Sequence, residues 1–106
     1  MTEILNVFTT IDSRDGAEAL ARRAVTDGRA ACVQIEEIAS VYLWEGAVQE
    51  DREFRLLFKV PARGYDALAA LILAAHPYDE PALWALPVER GSESFLKWVD
   101  ESCAAG

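Results

Sequence analysis

The sequence predicts an α+β sandwich in which two helices cover one face of an antiparallel sheet. Three observations carry the prediction. Two stretches repeat apolar residues at helical spacing. β-prone runs precede, separate and follow them in the order β-α-β-β-α-β. The two middle runs flank a short turn at Glu45-Gly46, which reads as a long hairpin rather than as two crossover connections.

The first strand is expected over Ile4 to Thr10, a short β-prone run. Asp12 and Ser13 follow as helix N-cap candidates, because a short side-chain oxygen can accept from the free N–H groups of a first turn. Ala17, Leu20, Ala21, Ala24 and Val25 then form one apolar stripe, and Gly28 supplies a natural stop. Ala31 to Trp44 is the second strand, where the adjacent Glu36 and Glu37 suggest a bulge or bend. The return strand runs from Ala47 or Val48 to Val60 and ends at Pro61. Its faces differ. Phe54, Leu56, Phe58 and Val60 point toward the helices, while Glu53, Arg55, Leu57 and Lys59 point away. Tyr65, Leu68, Ala69, Ile72 and Leu73 make the second helical stripe. Pro77 biases His76 out of the helical region, so this helix should end there. Ala82 to Val88 is almost wholly apolar, as a strand buried on both faces would be. Phe95, Trp98 and Val99 mark an extra C-terminal helix. With these elements in place, the pattern is the split βαβ of the ferredoxin-like sandwich, spanning residues 1–106 as one domain.

Composition narrows the partners. The chain has 106 residues and a formal net charge of -8, which argues against a nucleic-acid binder and against adhesion to anionic membranes. Neither a basic leader nor a long apolar run is seen, so a cytoplasmic location with reduced thiols is expected. Cys32 and Cys103 form no Cys-x-x-Cys motif, which excludes the usual copper-chaperone loop. No nucleophile–base pair and no glycine-rich phosphate loop is visible, so no enzymatic activity is expected.

The connector His76-Pro77-Tyr78-Asp79-Glu80-Pro81 carries the most chemistry. Two prolines restrict the backbone around the only histidine, a tyrosine and two carboxylates, which suits a binding site. His76 is a ligand for copper or zinc, or else a polar helix terminus. Cys32 is a soft ligand or a small buried hydrophobe. Glu53 and Lys59 line a cleft or pair at an interface, and Tyr78 binds a ligand or anchors the connector. Tyr42 and Trp44, at the hairpin's far end, read as interface aromatics. The sheet's second face, with Leu57 and the region of Trp84, is apolar enough to predict self-association.

Several short stretches together resemble the CutA divalent-cation tolerance family. They are Ala30-Ala31-Cys32-Val33, the run from Ser40 to Gly46 (Ser-Val-Tyr-Leu-Trp-Glu-Gly), Glu53 with Lys59, His76-Pro77-Tyr78 with Pro81, and Leu96 to Trp98. The resemblance runs from about Ile4 to Trp98. It implies a ferredoxin-like protomer in a tight homotrimer, an architecture like that of PII signal proteins, and a role in tolerance of copper and other divalent metals. Its metal-associated positions map onto His76 and Cys32, the low end of a ligand set. Some relatives carry a second histidine where this chain has Ala75, and a cysteine where it has Thr9. Leu43, Val60 and Asp79 are further departures. The expectation is therefore a trimeric binding or regulatory module of divalent-cation homeostasis. The competing readings are a structural trimer that scaffolds a partner protein and a small-ligand enzyme of unknown reaction.

Overall fold

The computed structural model describes residues 2–104; Met1, Ala105 and Gly106, which belong to the expected domain of residues 1–106, lie outside the described residues. Element order is β1 (Ile4–Ile11), α1 (Arg14–Thr26), β2 (Cys32–Trp44), β3 (Ala47–Pro61), α2 (Tyr65–Ala75), β4 (Leu83–Val88) and α3 (Glu93–Glu101), with a short 3-10 turn at Ala62–Gly64 before α2. The four strands form one antiparallel sheet in the order β2-β3-β1-β4.

Local chemistry explains the boundaries. Ser13 caps α1, its Oγ accepting from the Gly16 N–H at 3.0 Å. Gly28 leaves the helix with φ +70°, a left-handed turn that an L side chain resists. Glu45 and Gly46 both have positive φ, as a two-residue type I′ hairpin turn requires. His76 ends α2 in an extended conformation (φ -74°, ψ 135°), as the following proline dictates.

The core lies between the sheet and the first two helices. Val7 and Ile11 of β1 and Leu56, Phe58 and Val60 of β3 meet Ala17, Leu20 and Ala24 of α1 and Leu68 and Ile72 of α2. This is the expected helix-facing set of β3, with Phe54 packing at its margin. Val25 and Leu73 lie off their stripes, 45% and 50% exposed. The helix faces are thus narrower than the periodicity predicted: Val25 and Leu73 each follow a buried residue, Ala24 and Ile72, by one position, and a step of about 100° around the helix turns them off the sheet.

Two strand expectations are corrected. No bulge occurs at Glu36 and Glu37: β2 and β3 pair without interruption from Cys32↔Lys59 to Trp44↔Ala47. The glutamates fit a regular ladder because basic side chains meet them. Arg55 donates to Glu36, and Glu37 lies 3.9 Å from Arg14 and 3.8 Å from Arg52. Nor is β4 buried on both faces. It is an edge strand paired with β1 alone, its pattern alternates, and Trp84 and Leu86 are 39% and 53% exposed. Pro87 fits this edge, where its missing N–H costs no ladder bond on the open side.

β1 reaches β3 only as far as the Ile11↔Phe54 pair. Beyond it, residues 38–53 continue as a two-stranded arm, which stretches the molecule to 45 × 26 × 21 Å. At the other end α3 reaches the second sheet face. Lys59 Nζ sits 5.4 Å from the centroid of the Phe95 ring, Arg63 bonds Asp100 at 3.0 Å, and Val99 is buried.

The arm's turn gives a test free of packing effects. A Cβ added at Gly46 meets nothing within 4 Å, so only the φ of +80° opposes it. Gly46→Ala should lower unfolding stability by about 1–2 kcal/mol. Glu45→Asn should raise it, since asparagine tolerates positive φ better than glutamate. Urea unfolding of the two variants measures both signs.

Candidate functional site

The alternation of β3 places Glu53 and Arg55 on the second sheet face, where β2 presents Glu36, Ile38 and Ser40 opposite them and beside them. The α2–β4 connector closes over one end of this face. Between arm and connector lies a cleft of about 890 Å³, with Tyr42 and Trp44 on the arm side, Tyr78, Asp79 and Glu80 on the connector side, and Trp84 on β4.

His76 fixes the connector. Its Nε2 lies 2.8 Å from the Thr10 carbonyl oxygen, which only accepts, so Nε2 carries the proton. Its Nδ1 accepts from the Tyr78 backbone N–H at 3.2 Å, so the ring is the neutral Nε2–H tautomer. The Tyr78 ring meets the imidazole edge-on, 4.7 Å between centroids. The Tyr78 hydroxyl then donates to Glu53 Oε1 at 2.8 Å, closing a chain from β1 through the connector to β3. Thr9 adds a second tether, its buried hydroxyl donating to the Ala82 carbonyl at 2.7 Å.

The electrostatics follow from these contacts. Burial, then the bond to Glu53, raises the Tyr78 phenol above its ordinary pKa. Tyr42 donates to Asp51, and that bond raises its phenol too. Arg55 places Nε at 2.8 Å and Nη2 at 2.6 Å from Glu36 Oε1, so its charge is offset by that carboxylate. Glu53, Asp79 and Glu80 leave the cleft lining predominantly acidic.

The site residues foreseen from sequence divide into groups. Glu53, His76 and Tyr78 come together, and Trp44 lines the same cleft. Lys59 does not join them: it lies six residues from Glu53 along β3, roughly 20 Å away, against Phe95. Cys32 pairs across from Lys59, whereas His76 bonds Thr10, opposite Arg55; this separates the two by roughly 13 Å along the sheet. Cys32 and His76 therefore cannot hold one metal within a protomer. Both His76 nitrogens are engaged, and among the described residues no group of three His, Cys, Asp or Glu is placed to hold a metal ion. The residues of one protomer thus do not fit a divalent metal. Both thiols are free and half-buried, and burial raises that of Cys103. Arg55 and Trp84, expected on the sheet's second face but not among the candidate site residues, also line the cleft. For Arg55 the signal was present: it shares Glu53's face at a spacing of two.

Comparison with known proteins places this geometry. The model of the family described as CutA1 divalent ion tolerance protein matches residues 5–102. The divalent-cation tolerance protein CutA of Archaeoglobus fulgidus is 34% identical, over 91% of this chain and 94% of that protein. Its counterpart in Thermus thermophilus is 36% identical over the same shares. The crystal structure of CutA1 from Oryza sativa superposes with a TM-score of 0.94 at 35% identity, covering 98% of this chain and 96% of that one.

The two shifted phenols generate a pH prediction. A phenol whose folded pKa is raised contributes stability while both states are protonated, below the ordinary tyrosine pKa of about 10, and loses it as pH rises further. Stability should therefore fall in the alkaline range beginning near that value. Absorbance titration of tyrosinate should show Tyr78 ionising last, and Tyr78→Phe should remove that latest component. A Tyr78→Phe protein that instead loses a component titrating near the ordinary tyrosine value, with the latest component intact, would show the phenol to be free of Glu53.

Proposed function

The chain belongs to the CutA1 family, and from that premise we propose that it is a homotrimeric binding module of divalent-cation tolerance, with PII-like architecture and no catalysed step. The relatives carry divalent-cation tolerance in their names, and the role is extended here to this chain. The strand order β2-β3-β1-β4 with helices on one face supports the ferredoxin-like assignment.

The observation that carries the assembly is the second sheet face. Phe8 and Trp84 stack there at 5.1 Å, Leu57 is half-buried and Leu86 is exposed beside them. Tyr42 and Trp44, 42% and 49% exposed, continue this face onto the arm, and the arm's opposite face carries Val41, Leu43 and Val48, each at least 65% exposed. Leaving these apolar surfaces in water is costly, and closed symmetric association of identical chains covers them. An arm of two strands is also marginal by itself and gains support from a neighbour. Sedimentation should show a trimer that persists at micromolar concentration. Trp44→Ala should weaken assembly by about 3–5 kcal/mol while leaving the far-UV dichroism of the protomer intact. A folded wild-type monomer would sink the assembly reading.

Two free, half-buried thiols suit a reducing compartment, and a cytoplasmic location is the companion proposal; the Archaeoglobus fulgidus structure is described as that of a periplasmic protein. Within this reading copper or another divalent metal engages ligands from more than one copy, with His76 or Cys32 contributing alongside carboxylates. Calorimetry should accordingly give weak copper binding that falls further in His76→Ala and Cys32→Ser. Tight stoichiometric binding that survives both changes together would place the metal elsewhere.

A further inference from the structure

We propose that the hydrogen bond between Tyr78 and Glu53 is a latch that holds the arm in the direction association requires, which makes Tyr78 a positioning residue for assembly. This rests on the trimeric reading given above, and it assigns control of assembly to a residue outside the arm.

Place comes first. β1 pairs with β3 only as far as the Ile11↔Phe54 pair, so Glu53 is the first residue of β3 with no β1 partner. On its other side Glu53 pairs with Ile38 of β2, and at this pair the arm leaves the sheet. Support from β1 ends at this step, and here the Tyr78 hydroxyl donates to Glu53 Oε1 at 2.8 Å. Among the described residues no other side-chain hydrogen bond or ion pair joins residues 38–53 to the chain outside the hairpin. The bond of Tyr42 to Asp51 stays within the arm. The Arg14–Glu37 ion pair, at 3.9 Å, lies one position inside the sheet and is well exposed, so it contributes little.

Rigidity comes second. The Tyr78 backbone N–H donates to His76 Nδ1 at 3.2 Å, and His76 Nε2 donates to the Thr10 carbonyl of β1 at 2.8 Å. Thr9 of the same strand ties the far end of the connector through the Ala82 carbonyl at 2.7 Å. Pro77 and Pro81 restrict the backbone between these tethers. The latch is thus anchored on β1, the strand that stops short of the arm. Its acceptor is a half-buried carboxylate, and hydrogen bonds to ionised acceptors are the stronger kind. A neighbour covering this face excludes water from the bond and strengthens it further.

The consequence is kinetic and thermodynamic. A hairpin of two strands is marginal alone, so an unlatched arm samples many directions. Only the aligned fraction of chains can associate, and apparent affinity falls with that fraction. The first step of association needs two aligned chains, so a threefold loss of alignment slows it roughly tenfold. A latch formed before the partner arrives removes that loss.

The test compares wild type with Tyr78→Phe, Glu53→Leu and Glu53→Gln. Assembly after dilution from guanidinium chloride is followed by light scattering at micromolar chain. Amide hydrogen exchange reads residues 41–50 of the arm against residues 56–60 of the core. Tyr78→Phe keeps the ring against His76, and Glu53→Leu keeps most of the side chain's bulk, so each removes chiefly the bond. Both should slow assembly about tenfold and speed exchange in the arm about tenfold or more, with residues 56–60 unchanged. Glu53→Gln, whose amide oxygen still accepts from the phenol, should stay within about threefold of wild type. The double change Tyr78→Phe with Glu53→Leu should be no slower than either alone, because the two share one bond. Tyr78→Phe assembling at the wild-type rate, Glu53→Gln failing as badly as Glu53→Leu, or core amides quickening with those of the arm would overturn the proposal. A wild-type trimer whose assembly is indifferent to both Tyr78→Phe and Glu53→Leu overturns this inference alone. A wild-type chain that stays a folded monomer overturns the trimeric reading, and the latch's part in assembly with it.

Discussion

The structure depends on the register of β3. This one strand pairs with β2 along its length on one side and with β1 on the other, both without a slip. Because side chains alternate with a period of two, a shift of one residue would send Leu56, Phe58 and Val60 out of the core and bring Glu53, Arg55 and Lys59 into it. Burying three charged groups among helices is prohibitively costly, so the register has no near competitor. The same alternation that fills the core therefore sets out the second face, and with it the cleft. Core and site are two readings of a single strand.

Much of this was legible in the sequence because it is local. Ser13, Gly28, Gly46 and the His76-Pro77 step each dictate backbone geometry through their own chemistry, and each boundary fell within about a residue of where they put it. What was not legible is relational. The Glu36–Glu37 pair reads as a break until Arg14, Arg52 and Arg55 are seen to face it from two other elements. Ala82 to Val88 is as apolar as a central strand. Only the strand order reveals that it sits at an edge and that half its apolar side chains face outward. Glu53 and Lys59 share a face, so alternation grouped them, but distance along the strand separates them. Periodicity gives the direction of a side chain; it does not give its neighbours.

The connector shows how a single neutral imidazole organises a site. One ring nitrogen donates to β1 and the other accepts from the connector, so the ring works as a two-ended clamp. A ligand role for His76 competes with this clamp. A metal taking Nδ1 displaces the Tyr78 N–H, and one taking Nε2 displaces the bond to Thr10. Either event loosens the Tyr78–Glu53 contact, which in turn changes the wall of the cleft. The histidine that a motif reading assigns to metal is, in one protomer, committed to holding the tyrosine.

Assembly bears on the site because it draws on the site's own residues. Tyr42 and Trp44 belong to the arm, whose apolar side chains call for a neighbour, and they also border the cleft. A neighbour packed on the arm fixes these rings, so in the proposed trimer the wall of the cleft is set by the assembly as well as by the protomer. The cleft occupies the base of the arm, where β1 stops and two paired strands alone hold the side chains in place.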